Sequence, residues 1–146
     1  EGGERMINIT FFNKAPDNMP MVFVVICAQY NGKWIFVRHK ERNTYEIPGG
    51  HIEPNEDSVA AAKRELYEET GATDFTLDFV SVYAVEKDEQ ATGGYLFFAD
   101  VKTLSDLPEY EIASVNFFDR LPDNLTYPSI QPFLSERVRN WMKTRL

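Results

Sequence analysis

The chain has 146 residues, 43% of them hydrophobic, with a single cysteine and a formal net charge of −8 at neutral pH. That length suits one domain with its own core, expected over residues 1–146, and the negative charge argues against nucleic-acid polymers and anionic membranes as partners. No apolar run reaches a membrane-spanning length and no secretory leader is expected. Cys27 cannot pair internally and sits in the apolar run of residues 22–28, so it reads as a buried thiol of a reducing compartment, the cytoplasm.

Residues 1–5, which include Gly2 and Gly3, read as additions ahead of a native start at Met6. Residues 7–11 alternate apolar and polar, the pattern of an edge strand. A loop with Pro16 and Pro20 follows. The β-branched and aromatic run 21–30 predicts a central strand covered on both faces, and Asn31-Gly32 predicts a two-residue hairpin into a strand over 33–39. Residues 59–69 predict a helix, capped by Asp57 or Ser58 and closed by Gly71. Beyond it, 75–85 reads as one or two strands with a bend, 86–94 as a mobile hairpin loop ending in Gly93-Gly94, and 95–101 as a strand. A loop over 102–110, a short strand over 114–118 and a turn over 121–125 lead to a last helix within 128–146. That helix carries Ile130, Phe133, Leu134, Val138, Trp141 and Met142 at mostly helical spacing. There are no repeats or linkers, and the periodicities alone allow α/β or α+β.

The stretch with chemistry in it is the first helix and the Pro48-Gly49-Gly50 turn before it. Glu65, Glu68 and Glu69 share one helix face, and Val59, Ala62 and Leu66 form an apolar stripe for the core. Carboxylates in a last turn meet the negative end of the helix dipole, at roughly 0.3–1 kcal/mol each, and repel one another. A solvated acidic face is the ordinary reading of such a pattern. Here a glycine turn lets backbone approach a ligand, and a divalent cation would turn the repulsion into binding. Hard oxygen donors suit Mg²⁺ or Mn²⁺.

Gly50, Glu56, Arg64-Glu65-Leu66, Glu68-Glu69 and Gly71-Ala72 stand in the order of the Nudix box, G-x5-E-x7-R-E-U-x-E-E-x-G-U with U a bulky apolar residue. The chain resembles that family over about residues 21–125, and Ala72 departs only in being small. The resemblance implies an α/β/α sandwich, a mixed sheet flanked by helices, with the box at 50–72 as loop–helix–loop. It implies hydrolysis of a nucleoside diphosphate linked to another group, by water attack on phosphorus with Mg²⁺ or Mn²⁺. Glu65, Glu68, Glu69 and the Gly50 carbonyl become metal ligands. Arg64 becomes the residue that fixes the carboxylates, and Glu56 its structural partner. Segment 111–118 resembles the family's E-I-x-x-V-x-W-F, with Phe117 at the Trp position. That makes Glu111 a further ligand or the general base, a role shared as a candidate with Glu65; Glu109 is the weaker rival.

Arg38 at a strand end, Tyr45, Gly49, Gly50 and Phe97 are the expected substrate contacts. His39, Tyr83, Tyr95 and Phe117 are weighed against local or core roles, and His51 is expected to face solvent. The chain is similar to the branch acting on oxidised purine nucleoside triphosphates. In one member of that branch an Asn before the last helix reads the base; no Asn is clearly placed for this here, and Gln131 or Asn124 is the candidate substitute. The alternatives are hydrolysis of ADP-ribose, a dinucleoside polyphosphate or an RNA 5′ end, and a non-catalytic nucleotide-binding module. The expected partner is a small nucleotide, and the sequence permits a homodimer.

Overall fold

The computed structural model describes residues 6–145, so the reading of 1–5 as additions lies outside the described residues. The strands are β1 (Ile7–Phe12), β2 (Met21–Tyr30), β3 (Lys33–His39), β4 (Gly49–His51), β5 (Ala72–Lys87), β6 (Gln90–Leu104) and β7 (Ile112–Phe118). The helices are α1 (Ser58–Thr70) and α2 (Gln131–Lys143). The apolar run expected in the middle of the sheet is there: the order is β1-β5-β6-β2-β3-β7, with β4 also paired to β2. The β2–β6 pairing is parallel and the others are antiparallel.

Strand alternation assigns side chains to two cores. Val24, Ile26 and Ala28 join Ala61, Ala62 and Leu66 of α1, with Phe97 and Ala99 of β6. Cys27 faces the other way, with Leu96, Phe98 and Tyr83, onto Leu134 and Val138 of α2. The helices therefore lie on opposite faces, and the α/β/α sandwich stands. Among the described residues no helix is long and apolar enough to cross a membrane.

Both ends of α1 follow the sequence. Asp57 accepts from the Ala60 N–H, and Gly71 closes the helix at φ 80° with its N–H on the Tyr67 carbonyl. The apolar stripe shifts, however. Val59 is 44% exposed, and Ala61 takes its place in the core beside Ala62 and Leu66. The last helix starts at Gln131, with Pro132 in its first turn, where a missing N–H costs nothing.

The loop expected over 86–94 is instead a tight turn between long strands. Only Asp88 and Glu89 take positive φ, 55° and 66°, and Gly93-Gly94 belong to β6, paired with Ala84 and Tyr83. The glycines are there for space. A Cβ at Gly94 would strike the Tyr83 ring, and one at Gly93 would strike the Met21 and Met19 side chains.

At the other side of β2 the sheet opens. The β2–β3 ladder is confined to Gln29↔Trp34 and Tyr30↔Lys33 beside the hairpin. Further along, residues 46–50 slide between the two strands. The Val37 N–H donates to the Glu46 carbonyl at 2.9 Å and the Ile26 N–H to the Pro48 carbonyl at 2.8 Å, after which β4 pairs with β2. This wedge puts the Gly49-Gly50 backbone beside the acidic end of α1.

Candidate active site

A cavity of about 850 Å³ opens where the wedge, α1, the β5–β6 turn and the start of α2 meet. Six carboxylates line it (Glu46, Glu53, Glu65, Glu69, Asp88 and Glu111) against two strong cations, Arg42 and Lys87. Gly49 and Gly50 form part of its floor. At Gly49 a Cβ would run into the Val24 carbonyl, and at Gly50 it would occupy the place of the Glu65 carboxylate. Glycine is required at Gly49 by the neighbouring backbone, and at Gly50 it keeps the place of the Glu65 carboxylate clear.

Arg64 organises the acids of α1. Its Nε and Nη2 donate to Glu56 at 2.7 and 2.9 Å, Nη1 to Glu65 at 3.1 Å and Glu68 at 3.3 Å, and Nη2 also to the His51 carbonyl at 3.0 Å. The guanidinium holds the Glu56 carboxyl down at about 2, helped by the Glu53 backbone. Burial pushes the Glu65 carboxyl up against the pull of Arg64. Glu69, 9% exposed, accepts the Gly49 N–H at 3.0 Å. Its carboxyl is raised to about 8, chiefly by burial and further by Glu65, Glu46 and Glu111, while the Gly49 N–H opposes the rise.

The expected metal ligands thus gather, but their oxygens do not yet converge. Among the described residues no three His, Cys, Asp or Glu side chains are set to hold a metal ion, because Arg64 draws Glu65 and Glu68 to itself. Glu68 is not a cavity wall. The donor chemistry nonetheless fits a hard divalent cation. Glu65 and Glu69 are carboxylates pressed against glycine backbone in a site where burial and like charge disfavour the bare anions.

Arg38, Tyr45 and Phe97 are not brought to the cavity. Arg38 donates to the Arg42 carbonyl at 3.0 Å, while its neighbour His39 lines the cavity. Tyr45 packs edge-on against Phe118 at 5.1 Å, and Glu46, the next residue, faces the cavity instead. Phe97, 1% exposed, is core on the α1 side. In each case strand alternation delivers the adjacent residue or the opposite face. Of the other aromatics, Tyr83 lines the cavity and Tyr95 and Phe117 do not; Glu109 is also away from it. His51 is exposed as expected, yet it also packs against Phe23 on the cavity rim, the rings 4.7 Å apart and tilted by 55°.

The far wall comes from Ile47, Ile130, Leu134, Tyr127 and Gln131. Arg42 lies 5.9 Å over the Tyr127 ring. Gln131 is 6% exposed and its Oε1 has no hydrogen-bond partner. Asn124 instead donates to the Asn43 carbonyl at 2.7 Å and is not part of the wall. Arg42, Glu46 and Tyr127 were not among the expected site residues. The only sequence signal for them was proximity to the glycine turn and to the last helix.

The NUDIX domain family model matches residues 18–133. The chain is 34% identical over 124 residues to the Bacillus subtilis (strain 168) protein YtkD, provisionally named an 8-oxo-dGTP diphosphatase, covering 84% of this chain and 77% of that one. It is 38% identical over 64 residues to an RNA pyrophosphohydrolase of Caulobacter vibrioides, covering 42% of this chain but only 37% of that protein. The crystal structure of the Bacillus subtilis pyrophosphohydrolase BsRppH matches with a TM-score of 0.76 at 27% identity, over 93% of this chain and 91% of that one.

Proposed function

The chain belongs to the NUDIX domain family and is a pyrophosphohydrolase of that family; from that premise we propose that it cuts a small (deoxy)nucleoside triphosphate, oxidised purines such as 8-oxo-dGTP included, to the monophosphate and pyrophosphate in the cytoplasm. One observation carries this reading. A single cavity joins a carboxylate-rich end on glycine backbone to an apolar end that holds an orphaned acceptor, Gln131 Oε1.

Glu65, Glu69 and the Gly50 carbonyl, with Glu68 and Glu111 beside them, are the groups to hold Mg²⁺ or Mn²⁺, which supplies charge neutralisation on the diphosphate and a water acidic enough to react at neutral pH. Arg64 restrains the carboxylates, and Glu56 restrains Arg64. Of the two candidates for general base, Glu65 is favoured: burial raises its carboxyl towards the working pH, whereas Glu111 is exposed. At the other end Ile47, Ile130 and Leu134 cover the base, Tyr127 and Arg42 flank it, and Gln131 accepts from one of its N–H groups.

A second reading, removal of pyrophosphate from an RNA 5′ end, draws on the Phe23–His51 pair, where a following nucleotide can stack, and on the name of the Caulobacter relative. Release of pyrophosphate from dGTP, 8-oxo-dGTP, dATP and a short 5′-triphosphate RNA, and of AMP from ADP-ribose and a diadenosine polyphosphate, with Mg²⁺ and with Mn²⁺, separates the readings. Preference for a mononucleoside triphosphate is expected, with turnover lost on Glu69→Gln. Preference for the RNA makes the second reading the function, and full turnover by Glu69→Gln overturns the metal assignment.

A further inference from the structure

Glu69 is held by different means from the other acids of α1. Glu65 and Glu68 share Arg64, whereas Glu69 receives the Gly49 N–H on Oε1 and faces His39 Nε2 at 3.7 Å with Oε2. The same His39 nitrogen lies 3.2 Å from Oε1 of Glu46, whose other oxygen takes the Arg42 guanidinium. Glu46 is 7% exposed and belongs to no part of the box. Its backbone is tied to β3 by reciprocal 2.9 Å hydrogen bonds with Val37, two residues before His39. Glu46 and His39 are therefore mounted on one rigid ladder, and α1 brings Glu69 up against it.

We propose that Glu46 and His39 are positioning residues that aim the Glu69 carboxylate into the cavity. A glutamate in the last turn of a helix has three free torsions, and the neighbouring carboxylates push it away. An imidazole fixed on the opposite wall, 3.7 Å from Oε2, limits that freedom. Glu46 restrains the His39 ring from the other side, and Arg42 holds Glu46. Outer partners of this kind orient a ligand without touching the metal, and their removal weakens metal binding by about 10–100-fold. The inference rests on the reading of Glu69 as a metal ligand.

The test is Mn²⁺ binding, followed by electron paramagnetic resonance, in the wild type, His39→Ala, Glu46→Ala, the double variant and Glu69→Gln. His39→Ala and Glu46→Ala are each expected to weaken Mn²⁺ about tenfold or more, with the double variant no worse than the weaker single. Neither should add to the effect of Glu69→Gln, since partners acting through one group are not additive. Glu46→Gln, which keeps an acceptor oxygen for one of the two partners, should fall between the wild type and Glu46→Ala. If Glu46→Ala does not fold, His39→Ala decides alone. Unchanged affinity in His39→Ala alongside weakened affinity in Glu69→Gln overturns the positioning role and leaves the metal reading intact. Additive losses, or an undiminished effect of His39→Ala in the Glu69→Gln background, also overturn it. Wild-type affinity in Glu69→Gln removes the metal reading and this inference with it.

Discussion

Gly49 and Gly50 are adjacent, but a methyl group added at each would strike different things. At Gly49 it meets the Val24 carbonyl, part of the β2 backbone, which cannot yield; at Gly50 it meets the movable end of Glu65. Gly49→Ala should lower stability by about 1–3 kcal/mol by overpacking the β2–β4 contact. Gly50→Ala should stay within about 0.5 kcal/mol of the wild type and still lose most of its turnover, because Glu65 is displaced. Melting temperature and kcat measured on both variants check this, and equal loss of stability would refute it. At this scale the box residues were legible because each is demanded by its own chemistry at a fixed spacing. Arg38, Tyr45 and Phe97 were not, since choosing between them and His39, Glu46 or Tyr83 requires knowing which face of a strand looks into the cavity. Sequence periodicity locates a strand but does not say which of two covered faces holds the site.

Among the elements, α1 was read almost to the residue, since Asp57 and Gly71 mark its ends with side-chain and backbone chemistry of their own. Its buried face was misread at one position. Leu66 is 0% and Val59 44% exposed, so Leu66→Ala should cost about 2–5 kcal/mol and Val59→Ala less than about 0.5 kcal/mol. Urea midpoints of the two variants test the assignment, and comparable losses would contradict it. The β5–β6 turn was misread for another reason. Gly93-Gly94 looked like a loop signal, whereas the glycines make room for Tyr83, Met21 and Met19 inside a strand, a tertiary demand that no local pattern reveals.

The acids of the whole molecule give it a characteristic response to pH. Glu69 has its carboxyl raised from 4.5 to about 8 in the folded protein, so the fold binds that proton more tightly than the unfolded chain does. Its contribution favours folding at low pH, declines as pH rises from 4.5 through about 8, and then levels off. Glu56, lowered to about 2, acts in the opposite sense: its contribution is present above 4.5 and lost as pH falls through about 2. In EDTA the melting temperature of the wild type should therefore fall between pH 5 and 8 relative to that of Glu69→Gln, and Mg²⁺ should reverse the fall. Parallel curves for the two proteins would show that Glu69 is not the group responsible.

The buried acids clustered on the Gly49-Gly50 floor also bear on how such a chain changes over generations. Burial there disfavours the charged forms of Glu65 and Glu69 until a cation arrives, so replacing one with an amide should relieve that cost and leave the sandwich intact. Mutational drift that abolishes hydrolysis is then downhill in stability, and only selection for the reaction itself works against it. A lineage released from that selection would be expected to keep the fold and the cavity long after the chemistry had gone.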